Sequence, residues 1–232
     1  MANAVDKVNG IAIASIDKIN GMTAANIQAL NGLEFTGVTD AHVFIASDLA
    51  SKGDGSHASL GFTSGIDNTY DVYEFIFTNI HGETANQDFG FQVNAYDPSE
   101  GTPQLTGFDE AITSTTFNAW HDEADSSTNL TYNTGTDQAQ GIALQQLAYD
   151  VGIQNDNGIS GKLTIFDPSS TTYVKHFIAE LNEMYYNTDP YSIHRFIAGY
   201  INTQNAITQI EFKFSSGEIQ GGAIKMYGIA KS

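Results

Sequence analysis

No cysteine occurs among the 232 residues, which removes disulfides, thiolate nucleophiles and cysteine-based zinc sites together and leaves the redox compartment open. The fold must therefore stand on packing and assembly. Basic residues are scarce: nine Lys+Arg face 27 Asp+Glu, a formal charge of -18. Such a surface repels a phosphate backbone and an anionic membrane, so nucleic acid is not an expected partner. No run approaches the roughly 20 apolar residues that cross a bilayer as a helix, and membrane insertion is not expected. The N-terminus also lacks the basic start and apolar run of a signal peptide, which reads as a chain beginning near Met1.

Helical candidates are few as well. Residues 138–147 could supply a single helical turn, and Gly141 weakens even that. What is abundant is the material of strands and turns. Gly contributes 22 residues and aromatics 11%, alongside many Thr, Ser and Asn. After Gly37 the chain runs through short apolar or alternating stretches. They are 42–45, 73–77, 89–93, 116–120, 163–166, 174–178, 196–200, 210–214 and 224–227. Several alternate with period two, putting one face in a core and the other toward water or a partner. Turn clusters such as Asn155-Asp156-Asn157-Gly158, Asp167-Pro168-Ser169-Ser170 and Ser215-Ser216-Gly217 separate them. These patterns predict an all-β domain, an antiparallel two-sheet sandwich of jelly-roll type, over residues 37–232.

Residues 1–36 read differently. Val5-Asp6-Lys7-Val8-Asn9-Gly10 is followed by Ile16-Asp17-Lys18-Ile19-Asn20-Gly21 and then by Ile27-Gln28-Ala29-Leu30-Asn31-Gly32, a period of 11 without a gap. An 11-residue period also suits a right-handed coiled coil, but Gly costs about 1 kcal/mol inside a helix, whereas Asn-Gly is the preferred pair of a type I′ turn. The unit is thus a short extended piece and a corner. With two or three large side chains per unit it cannot build its own core, so it must lie against another surface. The expected assembly contacts are Val5, Val8, Ile16, Ile19, Ile27 and Leu30, with Asn9, Gly10, Asn20, Gly21, Asn31 and Gly32 turning the chain. The bland alternative is a tail draped over its own domain.

The phrase "IDKINGMTAANIQALNG" resembles the short Ile-x-x-Ile-Asn-Gly repeats that begin many tail-fibre and other virion proteins of marine tailed bacteriophages. The stretches "YDVYEFIFTNIHGETANQDFGFQVN", "SGKLTIFDPSSTTYVKHFIAELN" and "AITQIEFKFSSGEIQGGAIKMYGI" point the same way. The resemblance implies a non-enzymatic structural protein of the virion, assembled in the host cytoplasm, with a β-sandwich domain. It favours a tail fibre or tail appendage over a capsid decoration or head-fibre protein. The implied partners are other copies of the chain and neighbouring virion proteins. Fibres are commonly threefold, so by analogy the expected oligomer is a trimer.

Chemistry-bearing constellations are sparse. The densest, Trp120-His121-Asp122-Glu123-Ala124-Asp125, has neither the His spacing of a zinc helix nor the alternating oxygens of an EF-hand, and reads as a strand end followed by an acidic loop. Asp156-Asn157-Gly158 reads as a hairpin turn before a calcium loop. His176 shares the parity of Val174 and Ile178, which makes it a semi-buried or interface residue. His194 and Arg195 are expected to pair with the acidic surface. No phosphate-cradling loop or nucleophile elbow occurs, and with 27 acids a chance carboxylate pair would carry no argument for glycoside cleavage. Trp120 is the one candidate glycan contact, because an indole face suits a pyranose; a carbohydrate-binding module recognising host surface glycans is the alternative function. No cofactor and no metal site is expected. A chelator should therefore leave thermal unfolding unchanged, and a melting temperature that drops in EDTA would direct attention to His121, Asp122, Glu123 and Asp125.

Overall fold

The computed structural model describes residues 42–51, 57–97, 107–186 and 190–230, and in the N-terminal region the backbone of six two-residue strands. Those six form three antiparallel pairs. β1 (Lys7–Val8) pairs with β2 (Ile11–Ala12), β3 (Lys18–Ile19) with β4 (Met22–Thr23), and β5 (Ala29–Leu30) with β6 (Leu33–Glu34). Val8 faces Ile11, Ile19 faces Met22 and Leu30 faces Leu33, so two residues, Asn-Gly each time, separate the partners. The chain divides between Val43 and Phe44, a little beyond the boundary read from the sequence.

The second unit is all β among the described residues. Its strands are β7 (His42–Ala50), β8 (Leu60–Phe62), β9 (Val72–Gly82), β10 (Gln87–Ala95), β11 (Ile112–Asp122), β12 (Thr128–Tyr132), β13 (Gln145–Val151), β14 (Ile159–Phe166), β15 (Lys175–Tyr186), β16 (Pro190–Ile201), β17 (Ile207–Phe214) and β18 (Ile219–Ile229). They form two antiparallel sheets. The larger has the order β12-β11-β16-β15-β14-β9-β18-β7 and the smaller β13-β10-β17-β8.

One long ribbon runs through both sheets. β9 pairs with β18 from Val72↔Ile229 to Gly82↔Ile219, and β10 continues against β17 from Phe89↔Phe214 to Ala95↔Ile207. Backbone bonds from Glu83 N to Glu218 O (2.9 Å) and from Ser215 N to Asp88 O (2.8 Å) carry the ribbon round the corner between the sheets. β11 then pairs with β16 from Ile112↔Ile201 to Asp122↔Tyr191, so the two directions of chain nest in the jelly-roll manner. A bulge bends β9 and β18, where the register shifts, with Asn79 at φ 50 and Gly222 at φ 115. A Cβ on Gly222 would stand 2.6 Å from the Asn79 carbonyl oxygen, so only glycine fits there.

Period-two patterning builds the core as expected. β9 contributes Tyr73, Phe75 and Phe77 to the interior, and β10 contributes Phe89, Phe91 and Val93. Phe212 on β17 joins the layers: its ring lies 5.6 Å from Phe75 and 5.2 Å from Phe77 across the sandwich, and 6.4 Å from both Phe89 and Phe91 beside it. β10 is buried on its other face too, where Gln92 Nε2 donates to the carbonyls of Glu110 (3.0 Å), Ile142 (3.1 Å) and Ala143 (3.2 Å). Those covering loops correct one expectation. Residues 138–147 form no helical turn; Gly141 exchanges backbone bonds with Ile112 instead, and 145–147 open β13.

Phe212→Ala should remove about 3–5 kcal/mol of stability, because it empties the contact between the layers. Leu130→Ala, on the exposed edge strand β12, should change stability by less than about 0.5 kcal/mol. Urea unfolding of the two variants checks the contrast, and equal losses would mean that Phe212 is not the joint.

Candidate functional site

The larger sheet reaches beyond the β13 edge of the smaller one, and there its inner face is open. Period two places Trp120 of β11, Tyr185 of β15 and Tyr191 and Ile193 of β16 on that face, in line with buried Asn118, Glu183 and Arg195. Tyr149 and Asp150 of β13 complete the rim. Together these six enclose a cleft of about 290 Å³. The Trp120 and Tyr191 rings meet nearly at right angles (82°, centroids 5.2 Å apart), and Tyr185 lies 6.0 Å from Tyr191.

A bulge makes the rim. Consecutive residues of a regular strand point to opposite faces, yet Tyr149 and Asp150 both line the cleft. The β10–β13 register shifts between Gln87↔Val151 and Phe89↔Ala148, and Asp150 adopts φ 54 with its amide donating to Asp88 Oδ1 at 3.2 Å. Bulges of this kind re-aim side chains.

Behind the rim lies a buried ion pair. Arg195 Nε donates to Glu183 Oε1 at 3.0 Å, and Nη2 makes a second bond to the same oxygen; the residues are 4% and 1% exposed. The Arg195 guanidinium also lies 3.8 Å from the centroid of the Tyr149 ring, and so braces that ring. Burial pushes the Glu183 carboxyl above the usual carboxylate range, the Arg195 charge pulls it back, and Asp150 and Asp88 push it up again. Among the described residues Glu183 Oε2 has no hydrogen-bond partner.

The residues singled out in the sequence fall as follows. Trp120 is neither sealed in the core nor a flat external platform; it is half-buried at the cleft wall. The strand continues two residues past it to Asp122, whose carboxylate accepts from the Ser126 hydroxyl and from the Ser126 and Ser127 amides (both 2.9 Å). These bonds, the Ser126 hydroxyl first, hold its pKa below the usual range, so Asp122 serves a turn. His121 and Asp125 pair at 3.2 Å in the open. Among the described residues no three His, Asp or Glu side chains gather as metal ligands.

Residues 152–158 are a turn, closed by Asn157 N to Gln154 O at 2.9 Å, but not a hairpin: they lead from β13 in one sheet to β14 in the other. With His81, Asn79, Ser160 and Met184 this turn borders a second hollow, about 480 Å³, which is lined by no Phe, Tyr or Trp. His176 and Ile178 do share a face, the exposed outer one, while Phe177 and Ala179 point inward. His194 pairs with Glu180 at 3.0 Å on that outer face. Arg195 corrects the expectation of a surface pair. Its parity with Ile193 and Ile197, and that of Glu183 with Leu181 and Ala179, was the available signal for a buried pair.

Of the proposed assembly contacts, Val8, Ile19 and Leu30 lie in the paired backbone; Val5, Ile16, Ile27 and the pairs Asn9-Gly10, Asn20-Gly21 and Asn31-Gly32 lie outside the described residues, as do all side chains of residues 1–41. Compared with protein-family models, curated proteins and solved structures, the chain matches none.

Arg195→Met should cost about 3–5 kcal/mol, since it strands a buried carboxylate. Arg195→Met with Glu183→Leu should recover most of that loss. A carboxyl whose folded pKa lies above its unfolded value loses stability as pH rises. The single variant's deficit should therefore shrink on acidification, and a pH-independent deficit in urea unfolding would assign the loss to packing alone.

Proposed function

We propose that the chain is a non-enzymatic structural component of a tailed-phage virion, a tail fibre or other tail appendage, which assembles as a homo-oligomer and is anchored through its N-terminal repeats. The observation that carries this reading is the repeat itself. Three units at 11-residue spacing place the same two-by-two antiparallel pair around Asn-Gly. A pair of two-residue strands is too small to be stable alone, so each unit calls for a neighbouring surface.

The outer face of the larger sheet supports the oligomer. Phe117 and Phe196 stack there with centroids 4.8 Å apart, beside Leu130, Tyr132 and Ile178, which are 67%, 51% and 53% exposed. Register places Tyr132, Phe117 and Phe196 in one cross-strand row. A row of this kind is interface material, and the net charge of -18 keeps unassembled copies apart in solution. The cleft at Trp120 favours a second reading, glycan binding by the displayed sandwich.

Replacing Ile16 and Ile19 by Asp puts charge where apolar contact is expected, which costs far more than losing a methyl group. The isolated sandwich should melt as before, while incorporation into particles, read by mass spectrometry of purified virions, should fall sharply. Gly21→Val should do similar harm, because a β-branched residue resists the positive φ of a type I′ turn. Incorporation of the double Asp variant at the wild-type level would remove the anchoring role.

A further inference from the structure

We propose that the cleft bounded by Trp120, Tyr149, Asp150, Tyr185, Tyr191 and Ile193 binds a neutral pyranose, one sugar ring of a surface glycan. Three observations lead there. At about 290 Å³ the cleft has room for one ring and not for a long apolar chain. Its walls are aromatic, and aromatic faces suit the C–H face of a sugar. Its polar groups are unspent: among the described residues no hydrogen bond engages the Trp120 indole N–H, the hydroxyls of Tyr149, Tyr185 and Tyr191, or the Asp150 carboxylate. A ligand with apolar faces and several hydroxyls satisfies both sets at once.

Charge selects among sugars. Asp150 and Asp88 lie close enough to act on the Glu183 carboxyl, and Arg195 is committed to Glu183 and Tyr149. Among the described residues no cation of the cleft is left to meet a sugar carboxylate or sulfate, so uronic acids, sialic acids and sulfated rings are disfavoured. Neutral hexoses remain, with Asp150 accepting from a pair of sugar hydroxyls.

The site is also built in advance. The bulge at Asp150 presents two adjacent side chains to one hollow, and the ion pair braces Tyr149 from behind, so little ordering is required of the protein when a ring enters. This gives the buried charges a role in positioning the rim. A quaternary ammonium group is the competing occupant, since perpendicular aromatic rings beside a carboxylate also suit a cation. The hydroxyl-rich rim favours the sugar.

Trp120 is the only tryptophan, so indole emission reports this cleft and nothing else. The full chain is titrated with the methyl glycosides of glucose, galactose, mannose and N-acetylglucosamine, with methyl glucuronide, and with choline. At least one neutral glycoside should shift the emission saturably, with a Kd near the millimolar level of a single ring, and the glucuronide should bind more weakly. Tyr191→Ala and Asp150→Asn should each weaken that binding by about tenfold, read by fluorescence and by calorimetry, while Leu49→Ala on the far edge strand β7 leaves it unchanged. Should Tyr191→Ala melt early, Tyr191→Phe and Tyr185→Phe, which keep the rings and lose only hydroxyls, carry the comparison. Saturation by choline alone would make the cleft a cation cage, no saturation by any glycoside would leave it without the proposed ligand, and unchanged affinity in the Tyr191 and Asp150 variants would move the sugar elsewhere; each overturns the proposal. The titration uses the free chain, so it can fail while particle incorporation succeeds, or the reverse.

Discussion

Because β9 and β10 pair with β18 and β17 in one nearly continuous register, segments more than a hundred residues apart lie side by side inside both sheets. The corner of that ribbon places Phe75 and Phe77 over Phe89, Phe91 and Phe212. The overhang follows from the same geometry: with four strands facing eight, part of the larger sheet's inner face has no opposite layer. Side chains there keep the inward parity of the core but meet solvent. A cleft is what such an uncovered inner face becomes when its residues are aromatic and its rim is bulged.

Much of this was legible in the sequence because burial on one face of a strand leaves a period of two. All nine apolar stretches fall on strands, with Val174 alone just before the start of β15, and the sandwich follows from their number and spacing. The strands that escaped are those with a weak pattern. β8 has three residues, β12 is exposed at all five positions, and β13 carries Gln, Ala, Tyr and Asp across a bulge. Bulges are local breaks in period two, so alternation could not bring Tyr149 and Asp150 together. Trp120 could be chosen from its chemistry, but its companions Tyr185 and Tyr191 depended on the β15–β16 register, where the two face each other.

Charge is not confined to the surface. Of nine Lys+Arg, both Lys175 and Arg195 are buried. Lys175 donates to the carbonyls of Tyr173 (3.2 Å) and Thr203 (3.0 Å), and burial lowers its pKa against the pull of Asp167 and Glu110. Both cations act inside the fold, one tying loops and the other backing the cleft. Two acids, Asp122 and Glu183, are buried as well, so burial leaves the net charge of the solvent face as strongly negative as that of the whole chain.

The long ribbon also bears on how the chain is made. Its second half, residues 207–229, is synthesised more than a hundred residues after residues 72–95, which must wait for it. Until then β9 and β10, each carrying aromatic residues at alternate positions, have no partner on that edge. During translation these strands are a place where two nascent copies can pair with one another instead, and a holdase chaperone that covers extended aromatic segments is the kind of helper such a topology calls for.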